Sequence, residues 1–306
     1  MDGSAEAREV AAVPVRKAVI PAAGFGTRFL PASKAVPKEM LNVVDRPCIQ
    51  YVVEEAVRAG VEDILIVTSR GKSSMEDHFD YAPDLEAHLE ASGKTEELAE
   101  VRRIAELAQI HFVRQREQKG FGHAVLMAKE HVGNEPFAVL VGDEVVPEPG
   151  GGEPDLVPAM IDIFDERAKS VLAVVPVPQE DVSSYGIIAA DEVSHDVYRV
   201  TDMVEKPDPP DAPSTLGSRG RYVFTPAIFD ALERTEPGKG GEIQLTDAIK
   251  KVARDDEVYA YVHHGPIYDV GRPSLYLEAT IELALRRDDL AKPLREFLAS
   301  VVERGS

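Results

Sequence analysis

Two glycines followed by a cluster of cations give this chain its first candidate chemistry. Gly24 and Gly26 follow the short apolar run Ala18-Val19-Ile20, with Thr27 and Arg28 next and Lys34 and Lys38 downstream. A strand that ends in a glycine turn exposes backbone N–H groups, and a concave set of such donors attracts anions. Arg28 and Lys38 add fixed positive charge over that array. The pattern reads as a loop that holds a polyphosphate. It is neither of the familiar phosphate fingerprints: Phe29 stands where G-x-G-x-x-G needs its last glycine, and no GK[ST] ending follows. The glycine spacing alone is equally compatible with a plain tight turn; the basic pair favours the phosphate loop.

Carboxylates supply the second candidate. Asp143 follows the apolar run PFAVLV and Gly142, and Asp269 sits in the similar setting Ile267-Tyr268-Asp269-Val270-Gly271. Acids at the carboxyl ends of strands lie at the mouth of an open sheet, where two of them can share one Mg²⁺ with ligand phosphates. An Asp that merely caps the next turn is the alternative. Glu205-Lys206 ends another apolar run; Lys206 can meet a phosphate and Glu205 can accept from vicinal hydroxyls, unless the two form an ordinary solvent-facing ion pair. Gly186, in Ser184-Tyr185-Gly186-Ile187, lets a flat ring approach the backbone. Gln115 precedes Gly120 and Gly122, and its amide offers both a donor and an acceptor with which to read a base edge; a surface glutamine is the alternative. No set of histidines or cysteines has the ligand spacing of a zinc site. The single cysteine, Cys48, reads as buried filler, excludes an internal disulfide, and fits a reducing cytoplasm.

Elements that must position these residues alternate between strand and helix. Strands are expected at Ala18–Pro21, Asp63–Thr68, Ile110–Val113, Pro136–Val141 and Val171–Pro176, with helices at Ile49–Ala59, His123–Lys129 and Leu156–Ala168 between them. A helical pair broken near Ser92-Gly93 is expected to wrap the outside. Beyond residue 177 the texture changes to a meander over Gly186–Ala190 and Val197–Glu205, a strand at Arg221–Thr225 and a helix at Ala227–Glu233. A helical segment Glu242–Asp255, a strand Glu257–Val262 and two closing helices, Ser274–Arg286 and Leu290–Val302, follow. The rhythm predicts an α/β fold: a mostly parallel (mixed) sheet flanked by helices, with a smaller, less regular second lobe and closing C-terminal helices. Residues 1–16 read as a flexible tail and 17–306 as one domain, in which the texture divides a portion 17–176 from a portion 177–306. With 34 basic and 54 acidic side chains the net charge is −20, which repels nucleic acid. No run of 18 apolar residues offers a membrane span.

Taken together, IPAAGFGTRFLPASKAVPKEML, RGKSSMEDHFD, FGHAV, VLVGDE, SSYGII, VEKP, GRYVFTPAIFD, GGEIQLTDAI and YDVG resemble the bacterial UTP–glucose-1-phosphate uridylyltransferases of the nucleotide-diphospho-sugar transferase superfamily. The resemblance runs from Ile20 to Gly271. It implies a nucleotidyltransferase domain over 17–306, with a Rossmann-like nucleotide-binding core (17–176) and a smaller sugar-phosphate-binding and C-terminal helical portion (177–306). It also implies UTP and glucose 1-phosphate as substrates, UDP-glucose and pyrophosphate as products, Mg²⁺ as cofactor, and a homodimer or homotetramer. Carried over motif by motif, it implies that Ala23, Gly24, Gln115 and Gly120 hold uracil, with Gly26 and Thr27 in the same nucleotide loop. Arg28 and Lys38 address the triphosphate, Gly186 and Glu205 the sugar, Lys206 its phosphate, and Asp143 and Asp269 the metal. Several positions depart from the family pattern: Ser33 replaces threonine, Asn42 a proline and Glu144 the second aspartate of G-D-D, and the loop Arg116–Gly122 and the run Arg272-Pro273-Ser274 also differ. They leave dTTP or another hexose 1-phosphate as the alternative substrate choice.

Overall fold

The computed structural model describes residues 13–149 and 154–305. Residues 1–12 of the expected tail lie outside the described residues, and Val15 within it is buried against the core. In the first half of the chain the elements are β1 (Lys17–Pro21), β2 (Asn42–Val43), β3 (Arg46–Pro47), α1 (Cys48–Arg58), β4 (Asp63–Thr68), α2 (Ser73–Phe79), α3 (Pro83–Ala91), α4 (Thr95–Ala105), β5 (Gln109–Arg114), α5 (Phe121–Leu126), α6 (Lys129–Val132), β6 (Phe137–Leu140) and β7 (Glu144–Val145). The second half adds α7 (Leu156–Arg167), β8 (Ser170–Pro176), β9 (Gly186–Ser194), β10 (Val197–Glu205), β11 (Leu216–Phe224), α8 (Ala227–Glu233), α9 (Leu245–Asp255), β12 (Val258–Val262), β13 (Tyr268–Asp269), α10 (Pro273–Leu285) and α11 (Asp288–Gly305).

A nine-stranded sheet in the order β5-β4-β1-β6-β11-β8-β12-β10-β9 forms the centre. Only β11 and β10 run against the other strands, which gives the mixed, largely parallel sheet expected. Of its inner strands β6 (FAVL) is apolar and buried at every position because both faces are covered. Successive side chains alternate between two cores, as strand geometry requires. Val19, Phe137 and Val139 pack with α5, α8 and α9, and Phe137 stacks on Phe229 with ring centroids 4.9 Å apart. Ile20, Ala138 and Leu140 face α1 and α7. The sheet is continuous across residue 176, since β11 lies between β6 and β8, and β12 pairs with β8.

The differences from the sequence expectation are local. The helix expected at His123–Lys129 is two short helices, α5 beginning at Phe121 and α6 at Lys129. α9 begins at Leu245 rather than Glu242, because Ile243 is extended against the 119–122 loop: its N–H donates to Lys119 O at 2.7 Å, and its carbonyl accepts from Gly122 N–H at 2.9 Å. β11 starts at Leu216, five residues before the apolar pattern, because its first half is held by pairing with β8 while Arg219 and Arg221 are buried in ion pairs. Residues 27–40 form three single 3₁₀ turns, which carry no periodicity to read. Among the described residues no helix is long and apolar enough to cross a membrane.

Candidate active site

The glycine loop leaves β1 with its carbonyls fastened from behind. Ala22 N–H donates to Val67 O (2.8 Å), Lys72 Nζ donates to Ala22 O (2.6 Å), and Gln118 Nε2 donates to Ala23 O (2.7 Å). Gly24 faces open space, with nothing within 4 Å of where a Cβ would stand. Gly26 has φ of 65° and packs closely on Lys38, whose Cβ would be 3.4 Å from a Cβ at this glycine. Ser33 Oγ donates to Gly26 O at 2.7 Å, so the hydroxyl at this family departure fastens the loop. Lys72 also grips Glu39 at 2.8 and 3.1 Å, both side chains being buried. Burial pushes the Lys72 ammonium down and the Glu39 carboxyl up, each opposed by its partner's charge. Neither residue stands out in the sequence by its type or spacing, although Glu39 lies in PKEML and Lys72 in RGKSSMEDHFD.

Lys38 donates to Asp143 Oδ2 in a close ion pair across the mouth of the sheet. Burial alone would lower the Lys38 pKa, but Asp143 and Glu39 beside it hold it above its ordinary value. Asp143 reaches this point because Val141 and Gly142 carry the chain on from β6, and the Asp143 carbonyl accepts from Val270 N–H at 2.9 Å. Next to it β7 and β13 pair antiparallel, with Glu144 opposite Asp269. A Cβ at Gly271 would lie 2.7 Å from Asp143 Oδ2 and 2.8 Å from Asp269 Oδ1, so the two acids meet over a gap that only glycine leaves open. An all-oxygen pair of this kind fits the hard, oxygen-seeking Mg²⁺. Glu144 turns elsewhere: its Oε2 accepts from Gly220 N–H at 2.8 Å and its Oε1 lies 3.3 Å from Arg219. The extra methylene of this family departure fastens β7 to β11.

A cleft of about 420 Å³ opens over these groups. It brings together Ala23, Gly24, Lys38, Gln115, Gly120 and Asp143, and adds Gln118, Phe121 and Glu242, which sequence reasoning did not single out. Gln115 is 6% exposed, which removes the surface-glutamine alternative. Both amide hydrogens are already engaged, by Gly120 O at 3.2 Å and His123 Nδ1 at 2.9 Å. These contacts leave Oε1 as the amide atom without a protein partner among the described residues, where the sequence left both a donor and an acceptor open. Gly120, at φ 99°, lies so close to the next segment that a Cβ would be 2.6 Å from Glu242 Cβ.

Other expected residues stand apart from this cleft. Arg28 and Thr27 are exposed, and neither they nor Gly26 line it. Gly186 and Glu205 are register partners in β9 and β10, and a Cβ at Gly186 would be 3.5 Å from Glu205 Oε2. Lys206, at φ 46°, pairs with Glu205 at 2.6 Å, the bland arrangement that the sequence left open. A second cleft of about 640 Å³ joins Asp269 to Tyr185 and Arg219. Cys48 is fully buried, with its thiol pushed well up by burial, as expected of filler.

A further group of metal-type ligands lies at the opposite ends of the strands. Asp63, His111 and His131 bring their ligand atoms within 4.8 Å of one another, with His131 Nε2 2.8 Å from Asp63 Oδ1. Their sequence separations follow no zinc spacing, so only the sheet reveals them. Two imidazoles favour a zinc-like ion over Mg²⁺, and the group is remote from Asp143.

The model of the nucleotidyl transferase family matches residues 17–285. The chain is 49% identical over 290 residues to the UTP–glucose-1-phosphate uridylyltransferase of Bacillus subtilis (strain 168), covering 95% of this chain and 98% of that one. It is 48% identical to the enzyme of the same name from Staphylococcus epidermidis, over 93% of this chain and 97% of the other. Among solved structures, a UDP-glucose pyrophosphorylase complexed with UDP-glucose superimposes with a TM-score of 0.80 at 42% identity, covering 89% of this chain and 100% of that one. A UTP-bound UGPase from Acinetobacter baumannii gives 0.86 at 40% identity, over 93% and 99% of the respective chains. The chain therefore belongs to the UTP–glucose-1-phosphate uridylyltransferases, within the nucleotidyl transferase family.

Proposed function

We propose that the cleft over Asp143 makes UDP-glucose and pyrophosphate from UTP and glucose 1-phosphate. A phosphate oxygen of the sugar attacks the α-phosphorus of UTP, and the bond from that phosphorus to the bridging oxygen of the β-phosphate breaks. The nucleophile is already an anion, so no side chain becomes a covalent intermediate. What the chain supplies is alignment and relief of repulsion between two anions. Lys38 carries its charge into the cleft, Lys206 addresses the sugar phosphate, and Arg28 guards the exposed side of the triphosphate. Gly24 and Ala23 receive the base with Gln115 and Gly120, while Gly26 and Thr27 shape the loop, and Glu205 and Gly186 line the sugar side. Asp143 and Asp269 are the residues that would hold Mg²⁺, which bound there supplies charge neutralisation on phosphate oxygens.

The observation that carries this reading is the meeting of the glycine loop, Lys38, Gln115 and Asp143 in one cleft, with Asp269 beside Asp143 over Gly271. The relatives' shared activity supports it. We assign the chain to the cytoplasm and to a homodimer or homotetramer; Leu277 on α10 and Phe297 and Val302 on α11 are exposed apolar side chains open to self-association. The test is a coupled pyrophosphate-release assay with UTP, dTTP, CTP, ATP and GTP against glucose 1-phosphate, repeated with galactose 1-phosphate. Preference for UTP and glucose 1-phosphate is expected. A preference for dTTP or another sugar would replace the substrate assignment, and light scattering of the eluted protein reports the assembly.

A further inference from the structure

We infer that His123 sets the base selectivity of the cleft by locking the Gln115 amide with its oxygen outward. The inference rests on the reading that Gln115 faces the base of UTP. Gln115 Nε2 lies 3.2 Å from the carbonyl oxygen of Gly120 and 2.9 Å from His123 Nδ1. A carbonyl only accepts, so the amide atom facing Gly120 must be nitrogen. That nitrogen is a pure donor, so His123 Nδ1 must accept from it. His123 is then neutral, with its proton on Nε2.

The surroundings agree with that protonation state. Burial and the nearby Lys119 hold the His123 pKa below its ordinary value, with Glu117 acting in the opposite sense. Gly120 is itself pinned by the 242–243 segment, so its carbonyl is a rigid reference for the amide. Gln115 Oε1 has no hydrogen-bond partner among the described residues. It is not among the buried atoms lacking partners, and Gln115 lines the 420 Å³ cleft.

An outward-facing acceptor distinguishes pyrimidines. Uracil presents N3–H to it, whereas cytosine presents the lone pair of an unprotonated N3. A freely flipping glutamine would suit either base by turning its amide over. A locked one suits uracil and repels cytosine, since the wrong base leaves two acceptors facing each other. The uracil carbonyls must then find donors elsewhere, and the open backbone at Gly24 faces the same cleft. The lock cannot separate UTP from dTTP, because thymine has the same N3–H.

The test compares dissociation constants for UTP and CTP in the wild type, His123→Leu, His123→Asn and Gln115→Ala, alongside kcat and KM. His123→Leu removes the acceptor, so the CTP-to-UTP ratio of dissociation constants is expected to shrink by roughly 3- to 10-fold, the worth of one hydrogen bond. The change should sit in KM for UTP, with kcat within about twofold. His123→Asn can return a carbonyl oxygen near the Nδ1 position and should restore the ratio. An unchanged ratio in His123→Leu, with a reduced one in Gln115→Ala, would overturn the lock while keeping Gln115 as the base reader. An unchanged ratio in Gln115→Ala would instead remove the underlying reading. A measurement that needs no substitution is the ¹H–¹⁵N spectrum of the wild-type imidazole: a proton on Nε2 is expected, and one on Nδ1 would refute the inference.

Discussion

Asp143 sits between a cation and a second carboxylate, and its chemistry follows from that position. Lys38 donates to it on one side, and Asp269 faces it over Gly271 on the other. Removing the charge at either acid should leave the fold intact while weakening the metal site. Asp143→Asn and Asp269→Asn are each expected to melt within a few degrees of the wild type and to lose most turnover at any Mg²⁺ concentration. Activity titrated against Mg²⁺, with EDTA as the control, checks this; a fully active Asp143→Asn would take that residue out of the site. Lys206 gives a second residue-scale expectation. Losing a charge-assisted bond to the sugar phosphate costs about 2 kcal/mol, roughly thirtyfold in affinity. Lys206→Ala should therefore weaken glucose 1-phosphate binding by about that factor and leave UTP nearly unchanged. Separate titrations of the two substrates decide it, because equal losses would move Lys206 away from the sugar.

At the scale of elements, the apolar strands were legible and the loops between them were not. Asp63–Thr68 and Val197–Glu205 read as strands because their burial produces continuous or alternating apolar patterns, and the structure has both with those bounds. The close contact between residues 119–122 and 242–243 leaves no such signature, since it is made by backbone atoms and by glycines without side chains. Phe121 and Glu242 therefore carry no cleft signal in the sequence, and the helical pattern starts three residues before α9 does. The pairing of Asp143 with Asp269 was suggested by repeated local grammar, but the β7–β13 ladder that creates it spans only two residues per strand. Gly122 tests the backbone contact directly. A Cβ there would stand 2.7 Å from Ile243 O and 2.9 Å from Leu232 Cδ2. Gly122→Ala should cost about 1–3 kcal/mol by overpacking. It should also raise KM for UTP, because the wall that carries Gln115 and Glu242 is displaced. Thermal melting and UTP titration check the two effects together, and a variant that melts and binds like the wild type would mean the 242–243 segment yields freely.

At the scale of the whole molecule, the division at residue 176 suggested by the change in texture falls inside a single sheet. β11 comes from the later part and lies between β6 and β8 of the earlier part. The two parts are also pinned by Arg221 on β11 and Glu55 on α1, both fully buried and bonded at 2.6, 3.0 and 3.1 Å. Arg221 further donates to the Glu144 carbonyl at 2.8 Å, so the same side chain holds the segment that presents Asp143. A fragment ending at Pro176 would lack β11 and β12, leaving β6 and β8 with unpaired edges and an uncompensated Glu55. The chain is accordingly expected to unfold in one cooperative transition, with heat and denaturant monitored by far-ultraviolet circular dichroism and tyrosine fluorescence giving coincident curves. Arg221→Met should lower stability by about 3–5 kcal/mol, because it strands a buried carboxylate, and replacing Glu55 by Met in the same chain should recover part of that loss. Two separated transitions, or a soluble fragment 1–176 that melts cooperatively by itself, would show instead that the nucleotide-binding portion folds alone and that the later strands only dock upon it.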